Sequence, residues 1–211
     1  SEITQFYEVV RDKPEELMDC LDDFSSQYSE SFYYELREKK PRGKVQRAAR
    51  TLFLNKTCFN GLYRQNAQGK FNVPFGKREK APNFYDAKNL LESSRVLQNV
   101  LLTNEDFESV LEQTEEGDFI YCDPPYEPIS PTASFRSYTS AGFGKQDLIR
   151  LHEACHRAAQ RGALVAVSNS DSPLVREIFK KWRLVQVKCR RSINSKGLSR
   201  GLVKEILAKS Y

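Results

Sequence analysis

The stretch that most constrains this chain is Phe119-Ile120-Tyr121-Cys122-Asp123-Pro124-Pro125-Tyr126. Its first four residues, large or β-prone, predict a short buried strand. A carboxylate, two prolines and an aromatic ring come next. Neither proline donates an N–H and both fix φ, so neither can continue a strand ladder. The chain must leave its sheet at Asp123 in a stiff, extended turn. Pro124 and Pro125 thereby fix the Asp123 carboxylate, the Pro124 carbonyl and the Tyr126 ring relative to one another. Two acceptors and one flat apolar face suit a planar ring that carries an exocyclic amine. Asp-Pro alone also reads as an ordinary turn; strand-Asp-Pro-Pro-Tyr favours a site.

A chain of 211 residues suits one sizeable domain, or a domain with a sub-domain. No apolar run approaches the roughly 18 residues of a membrane span, and no signal-peptide pattern opens the chain. Cys20, Cys58, Cys122, Cys155 and Cys189 are scattered without a C-x-x-C pair. Neither zinc nor a disulfide framework is indicated, and the pattern fits reduced thiols in a cytoplasmic protein. His152 and His156 stand at i, i+4, which is ligand spacing, but no third ligand lies nearby in sequence. No metal is expected.

The net charge of +5 hides a segregation. Residues 1–36 hold ten acidic and two basic side chains, whereas 37–80 hold thirteen basic and two acidic. Residues 102–127 have no Lys or Arg, and 180–204 have nine and no acid. A merely solubilising surface intersperses the signs. Two separated basic blocks read instead as the footprint of a polyanion, with nucleic acid the expected partner.

Along the chain, apolar spacing predicts helix from Ser1 to Phe24, interrupted at Asp12–Glu16, with Asp12 as N-cap of the second segment and Pro14 in its first turn. Helices are predicted at Tyr28–Lys40 and Val45–Asn55, the latter basic and amphipathic with Arg47 and Arg50 facing outward. Leu62–Asn66 and Lys70–Val73 flank Gln68-Gly69 as a candidate hairpin. Its Asn, Gln and Arg side chains, Arg64 and Asn66 among them, are types that form bidentate contacts with base edges. The alternative is a structural hairpin that packs Phe71 and Phe75. From Asp86 the pattern alternates. Helices are expected at 87–98, 107–113, 144–161 and 173–182, and strands at Val100–Thr103, Phe119–Cys122, Ala163–Val167, Leu184–Cys189 and Val203–Leu207. Ser168-Asn169-Ser170-Asp171 reads as a polar turn. Alternation argues for a parallel α/β sheet, in which ligands bind at the carboxyl ends of strands. Asp106, Asp123 and Asn169–Asp171 all follow predicted strands and are expected to converge on one edge. The Ser-, Thr- and Pro-rich loop from Glu127 to Gly144 is a candidate lid.

Four motifs occur together and in order: Phe59-Asn60-Gly61-Leu62-Tyr63-Arg64, Phe71-Asn72-Val73-Pro74-Phe75-Gly76, Tyr121-Cys122-Asp123-Pro124-Pro125-Tyr126 and Arg190-Arg191-Ser192-Ile193. With them the chain resembles, over essentially its whole length, the Dam-type DNA adenine-N6 methyltransferases that modify GATC. The Asp-Pro-Pro-Tyr motif also occurs in RNA and protein amino-methyltransferases; the first two motifs are much narrower. The resemblance implies an α/β, Rossmann-like methyltransferase sheet in 1–26 and 83–211, with a helical and hairpin target-recognition insertion at 27–82. S-adenosylmethionine is the implied donor, and a flipped adenine of double-stranded DNA the acceptor. Asp123 and the Pro124 carbonyl would hold the amine, within the catalytic run Asp123, Pro124, Pro125 and Tyr126. Tyr126 would stack on the base. Asp106, Phe107 and again Asp123 would meet the cofactor. Asn60 matches a residue inserted beside the flipped base; Leu62, Arg64 and Pro74 match base-reading positions. Lys77 and Arg78 match backbone contacts, and Arg190 and Arg191 would meet phosphate. The family's Gly-rich loop and Asp-x-Asn have no counterpart here, so the resemblance implies that a cofactor-binding segment precedes Ser1. A monomer in a bacterial, archaeal or phage setting is expected, in replication and repair or in restriction-modification. Two alternatives stay open: a catalytically incompetent DNA-binding fragment, and an RNA or protein amino-methyltransferase.

Overall fold

A computed structural model describes residues 1–66, 68–128, 143–190 and 202–211. The chain forms two compact units, Ser1–Asn104 and Glu105–Tyr211.

The first unit is helical. Its elements are α1 (Glu2–Asp12), α2 (Pro14–Ser26), α3 (Glu30–Glu38), α4 (Lys44–Thr57), a 3-10 turn at Phe59–Gly61 and α5 (Ala87–Leu97). Ser1, Ser29 and Asp86 cap α1, α3 and α5 by accepting the backbone N–H three residues on. Asp12 does not cap α2. It is the last residue of α1, and its carboxylate accepts from Arg11 Nε at 2.8 Å. Pro14 opens α2 at its first position with Glu15 and Glu16 behind it, so the helix starts on proline geometry and dipole without a side-chain cap.

Helices α1, α2 and α3 all pack on α4. At the centre, Phe53 stacks on Phe84 at 5.1 Å and meets Phe24 and Phe32 edge-on, among buried Leu17, Leu21, Tyr33 and Leu54. Each such aromatic pair adds roughly 0.5–1.5 kcal/mol beyond its area. Arg50, expected outward, is buried. Its Nε donates to Leu36 O at 2.9 Å and its Nη2 to Arg37 O at 2.6 Å. The guanidinium satisfies terminal carbonyls of α3 that have no partner within that helix. The hairpin is also reduced: it forms isolated bridges, Gln65 to Phe71 and Cys58 to Phe75, rather than two strands.

The second unit contains α6 (Phe107–Glu112), β1 (Phe119–Cys122), α7 (Lys145–Gln160), β2 (Leu164–Ser170), α8 (Pro173–Ile178), β3 (Arg183–Arg190) and β4 (Leu202–Lys209). The sheet order is β1-β2-β4-β3. Among the described residues only β1 and β2 run parallel; β4 runs antiparallel to both neighbours, so the sheet is mixed. Alternation of helix and strand ends at α8, and β3 and β4 pair directly over their whole lengths, which is why the all-parallel expectation fails. Val100–Thr103 forms no strand, and Leu101 is 86% exposed. β1 is an edge strand of this sheet, with Phe119 62% and Tyr121 58% exposed, rather than a buried one.

Ser168, Asn169 and Ser170, expected in a turn, continue β2 and are buried. They stay in the ladder because β4 pairs with them, from Ser168 opposite Leu207 to Ser170 opposite Glu205. The core lies under α7, where Leu148, Leu151, Cys155 and Ala158 meet Val165, Val167 and Ile206. His152 sets its ring edge-on against Phe179 at 4.9 Å, so packing accounts for its place on α7.

Candidate active site

In the second unit the site begins where β1 ends. Asp123 is the first residue past the strand and is exposed; Tyr126 is 39% exposed. Because β1 and β2 are parallel and Cys122 pairs with Val167, Asp123 falls at the next rung beside Ser168. Ser168 Oγ donates to Asp123 Oδ1 at 2.8 Å. Among the described residues no donor reaches Asp123 Oδ2 or the Pro124 carbonyl. The far end of the turn is tied as well. Glu127 N donates to Asn169 Oδ1 at 2.9 Å, and Ser170 Oγ donates to Glu127 O at 2.6 Å. Asn169 Nδ2 has no partner among the described residues. Burial pushes the Tyr126 phenol up to about 12; the Ser168 hydroxyl opposes the shift, and the nearby Glu205 and Asp123 carboxylates add to it. The ring is therefore neutral at ordinary pH.

Asp106 and Phe107 stand at the start of α6. Asp106 is its N-cap, accepting from Glu108 N at 3.0 Å on Oδ1. Arg150, from α7, bonds both carboxylate oxygens, at 3.0 Å and 3.1 Å. These bonds to Arg150 first, then to the Glu108 backbone, hold the Asp106 carboxyl below its ordinary value. The same guanidinium lies 4.4 Å from the Phe107 ring centroid, and Phe143 meets that ring edge-on. A carboxylate has about four lone-pair sites, so one on Oδ2 remains. Asp123 and Asn169 thus share one sheet edge as expected. Asp106 makes its bonds to Glu108 of α6 and Arg150 of α7, with no hydrogen bond to Asp123 among the described residues.

In the first unit, the segment after α4 carries the predicted nucleic-acid contacts. Asn60 sits in the left-handed region at φ 55°, followed by Gly61 at φ 63°. Asn is one of the few side-chain-bearing residues that take this conformation at small cost. Asn55 Nδ2 secures the turn by donating to Gly61 O at 2.8 Å. Asn60, Arg64, Pro74, Lys77 and Arg78 are exposed, and Leu62 is half-buried. Arg64 Nε donates to Asn72 Oδ1 at 2.8 Å, which braces the guanidinium across the hairpin. Asn66 spends its Oδ1 on the tip, accepting from Gln68 N and Lys70 N. An open cleft of about 530 Å³ is lined by Asn55, Lys56, Gly61, Arg78, Pro82 and Asn83. Arg190 ends β3, while Arg191 and the body of the candidate lid, 129–142, lie outside the described residues.

Sequence reading missed Ser168 and Arg150, and it placed Asn169 and Ser170 at this edge without the bonds they make to Glu127. Polar residues directly after the apolar run 163–167 were the available signal, since the carboxyl end of a strand is where ligands bind. Among the described residues no group of three or more His, Cys, Asp or Glu is placed to hold a metal ion, and no helix is long and apolar enough to cross a membrane.

Residues 1–193 match the family described as D12 class N6 adenine-specific DNA methyltransferase. The chain is 37% identical to the Type II methyltransferase M1.LlaDCHI of Lactococcus lactis subsp. cremoris, over 100% of this chain and 77% of that protein. It is 40% identical to the Type II methyltransferase M.MjaIII of Methanocaldococcus jannaschii, over 93% and 71%. To the DNA adenine methylase of Escherichia coli K12 it is 38% identical, over 83% of this chain and 63% of that protein.

Proposed function

Since this chain belongs to the D12 class N6 adenine-specific DNA methyltransferases, we propose that it methylates N6 of an adenine turned out of double-stranded DNA within GATC, with S-adenosylmethionine as donor. The observation that carries this reading is the Asp123 carboxylate, exposed at the end of a parallel strand with one oxygen held and the other without a partner among the described residues. Pro124 and Pro125 stiffen the backbone between that carboxylate and Tyr126. Asp123 Oδ2 and the Pro124 carbonyl accept from the two N–H bonds of the adenine amine. They draw that nitrogen away from conjugation with its ring and stabilise the positive charge that develops on it. No strong base is required, because the methylated ammonium loses its proton readily. The Tyr126 ring, neutral and part-exposed, stacks on the base and offsets the few kcal/mol lost on unstacking.

The residues at the start of α6 fit the donor. Phe107 offers a flat apolar ring, and Asp106 keeps one acceptor position for an exocyclic amine beside its bonds to Arg150. When bound, S-adenosylmethionine supplies an electrophilic methyl group on sulfonium. The second unit then forms part of a Rossmann-like methyltransferase sheet, with polar groups at the carboxyl ends of its two parallel strands. Target recognition falls to 27–82, through Asn60, Leu62, Arg64, Asn66, Pro74, Lys77 and Arg78, with Arg190 and Arg191 on phosphate. Two relatives named Type II methyltransferases favour a place beside a restriction enzyme. A monomer acting in the cytoplasm belongs to the same proposal.

The test is transfer of a labelled methyl group to GATC duplex by the full chain, followed by nucleoside digestion. Label in N6-methyladenine, falling steeply on Asp123→Ala, is expected. Label in cytosine, or a preference for RNA or peptide over duplex DNA, overturns the assignment.

A further inference from the structure

We infer that Ser168 is a positioning residue for this reaction: its hydroxyl turns the Asp123 carboxylate so that Oδ2 is left as the acceptor for the substrate amine. The inference rests on the reading of Asp123 given above and assigns a role to a residue that reading does not use.

The geometry arises from sheet register. Parallel pairing of Cys122 with Val167 places Asp123 beside Ser168. Ser168 is 7% exposed and its strand is paired on both sides, to β1 and to β4, so its backbone is held. Asp123 sits outside the ladder with no such restraint. Its carboxylate torsion is of the broad sp3–sp2 kind, with no sharp rotamer well of its own. A hydroxyl carries a single proton. Within its reach lie Asp123 Oδ1 at 2.8 Å and Cys122 O at 3.4 Å, with the Tyr126 phenol also beside it, and the short, charge-assisted bond to Asp123 takes the proton. That bond occupies Oδ1 and fixes the plane of the carboxylate, which sets the direction of Oδ2.

Neighbouring residues give the arrangement its stiffness. Asn169 and Ser170 hold both backbone groups of Glu127, so three consecutive residues of β2 secure the turn at Asp123 and again at Glu127. The prolines stiffen the chain between these anchors. Ser168 touches no reacting atom; it acts through Asp123. Preorganised acceptors cost no reorientation when charge develops, and this is the contribution that the hydroxyl supplies.

The experiment compares Ser168→Ala, Ser168→Thr, Asp123→Ala and the Asp123→Ala/Ser168→Ala pair in the full chain, with steady-state kinetics on a GATC duplex. Ser168→Ala is expected to lower kcat by roughly 10- to 100-fold. KM for duplex and for cofactor stay within about twofold. Ser168→Thr, which keeps the hydroxyl and suits a strand, restores most of kcat. In the Asp123→Ala background, Ser168→Ala causes no further loss, because residues acting as one unit are non-additive. Should Ser168→Ala fold poorly by circular dichroism, Ser168→Cys, with a weak donor in a similar volume, takes its place with the same expectation. Wild-type kcat in Ser168→Ala, no recovery in Ser168→Thr, or a further loss in the pair overturns the role of Ser168. Asp123→Ala is expected to leave only a small residual rate, on which the pair is read; methylation at the wild-type rate in Asp123→Ala overturns the functional reading itself, so the two failures are distinguishable.

Discussion

Gly76 lies against the end of α4, its N–H donating to Thr57 O at 2.8 Å. A Cβ there would stand 2.8 Å from both Thr57 O and Cys58 O, backbone atoms that cannot swing aside. Gly76→Ala is therefore expected to destabilise by about 1–3 kcal/mol, read as a lower midpoint in denaturant. The glycine of Phe-Asn-Val-Pro-Phe-Gly is thus explained by close packing, which the sequence alone does not reveal. Arg64 and Lys77 part company at the same scale. Arg64 is braced by Asn72 and presents a fixed guanidinium, whereas Lys77 is an exposed point charge. On the proposed function, Arg64→Ala is expected to cost about 1–3 kcal/mol on GATC and to relax discrimination against single-base variants. Lys77→Ala is expected to weaken all duplexes alike and reduce the salt slope by about 1. Competition binding at several salt concentrations separates them; equal loss on every sequence for Arg64→Ala sinks its base-reading role. That Arg64 belongs to a recognition hairpin was legible from residue types. That Asn66 also braces the tip through its Oδ1 was not, because residue type does not show which backbone groups an Asn side chain meets.

Among elements, α4 shows how an amphipathic pattern misleads. Its basic residues look like an outer face, yet Arg50 lies inside, donating to the carbonyls of Leu36 and Arg37 at the end of α3. Arg50→Ala strands those carbonyls and is expected to cost about 2–4 kcal/mol, measured by chemical denaturation. Arg50→Lys is expected to recover little, since one ammonium cannot reproduce a forked pair of bonds. Most other helices were legible: α5, α6 and α7 lie within a residue or so of their predicted bounds, because a helix satisfies its backbone locally and its buried stripe is local too, whereas α8, expected to reach Trp182, ends at Ile178. Strands were less so. Leu164–Val167 was visible as an apolar run, but Ser168–Ser170 remain in β2 only because β4 supplies their partners. Conversely, Val100–Thr103 has strand-like residues and forms no strand.

At the scale of the whole chain, three phenols and one thiol that folding wholly or partly withdraws from water link stability to alkaline pH. Burial pushes Cys58 up to about 11, and Tyr63 and Tyr126 up to about 12; Tyr33 shifts upward for the same reason. Each folded-state value lies above the ordinary one, so the folded chain holds these protons more tightly. Their stabilisation is complete below about pH 9 and is withdrawn as pH rises through 11 to 12. The thermal midpoint is expected to hold to about pH 9 and then fall, with Tyr63→Phe flattening part of the decline. A midpoint that rises through this window contradicts the assignment.

The sequence by itself determined the Asp-Pro-Pro-Tyr turn, the Asn-Gly turn after α4, the helices and the family. Each is carried by residues adjacent in the chain, through proline's fixed φ, a left-handed Asn or a local stripe. Only the tertiary structure decided the mixed sheet, the inward Arg50 and the bond from Ser168 to Asp123. These depend on which distant segments become neighbours, and register between β1 and β2 is a property of the pair that neither strand encodes alone.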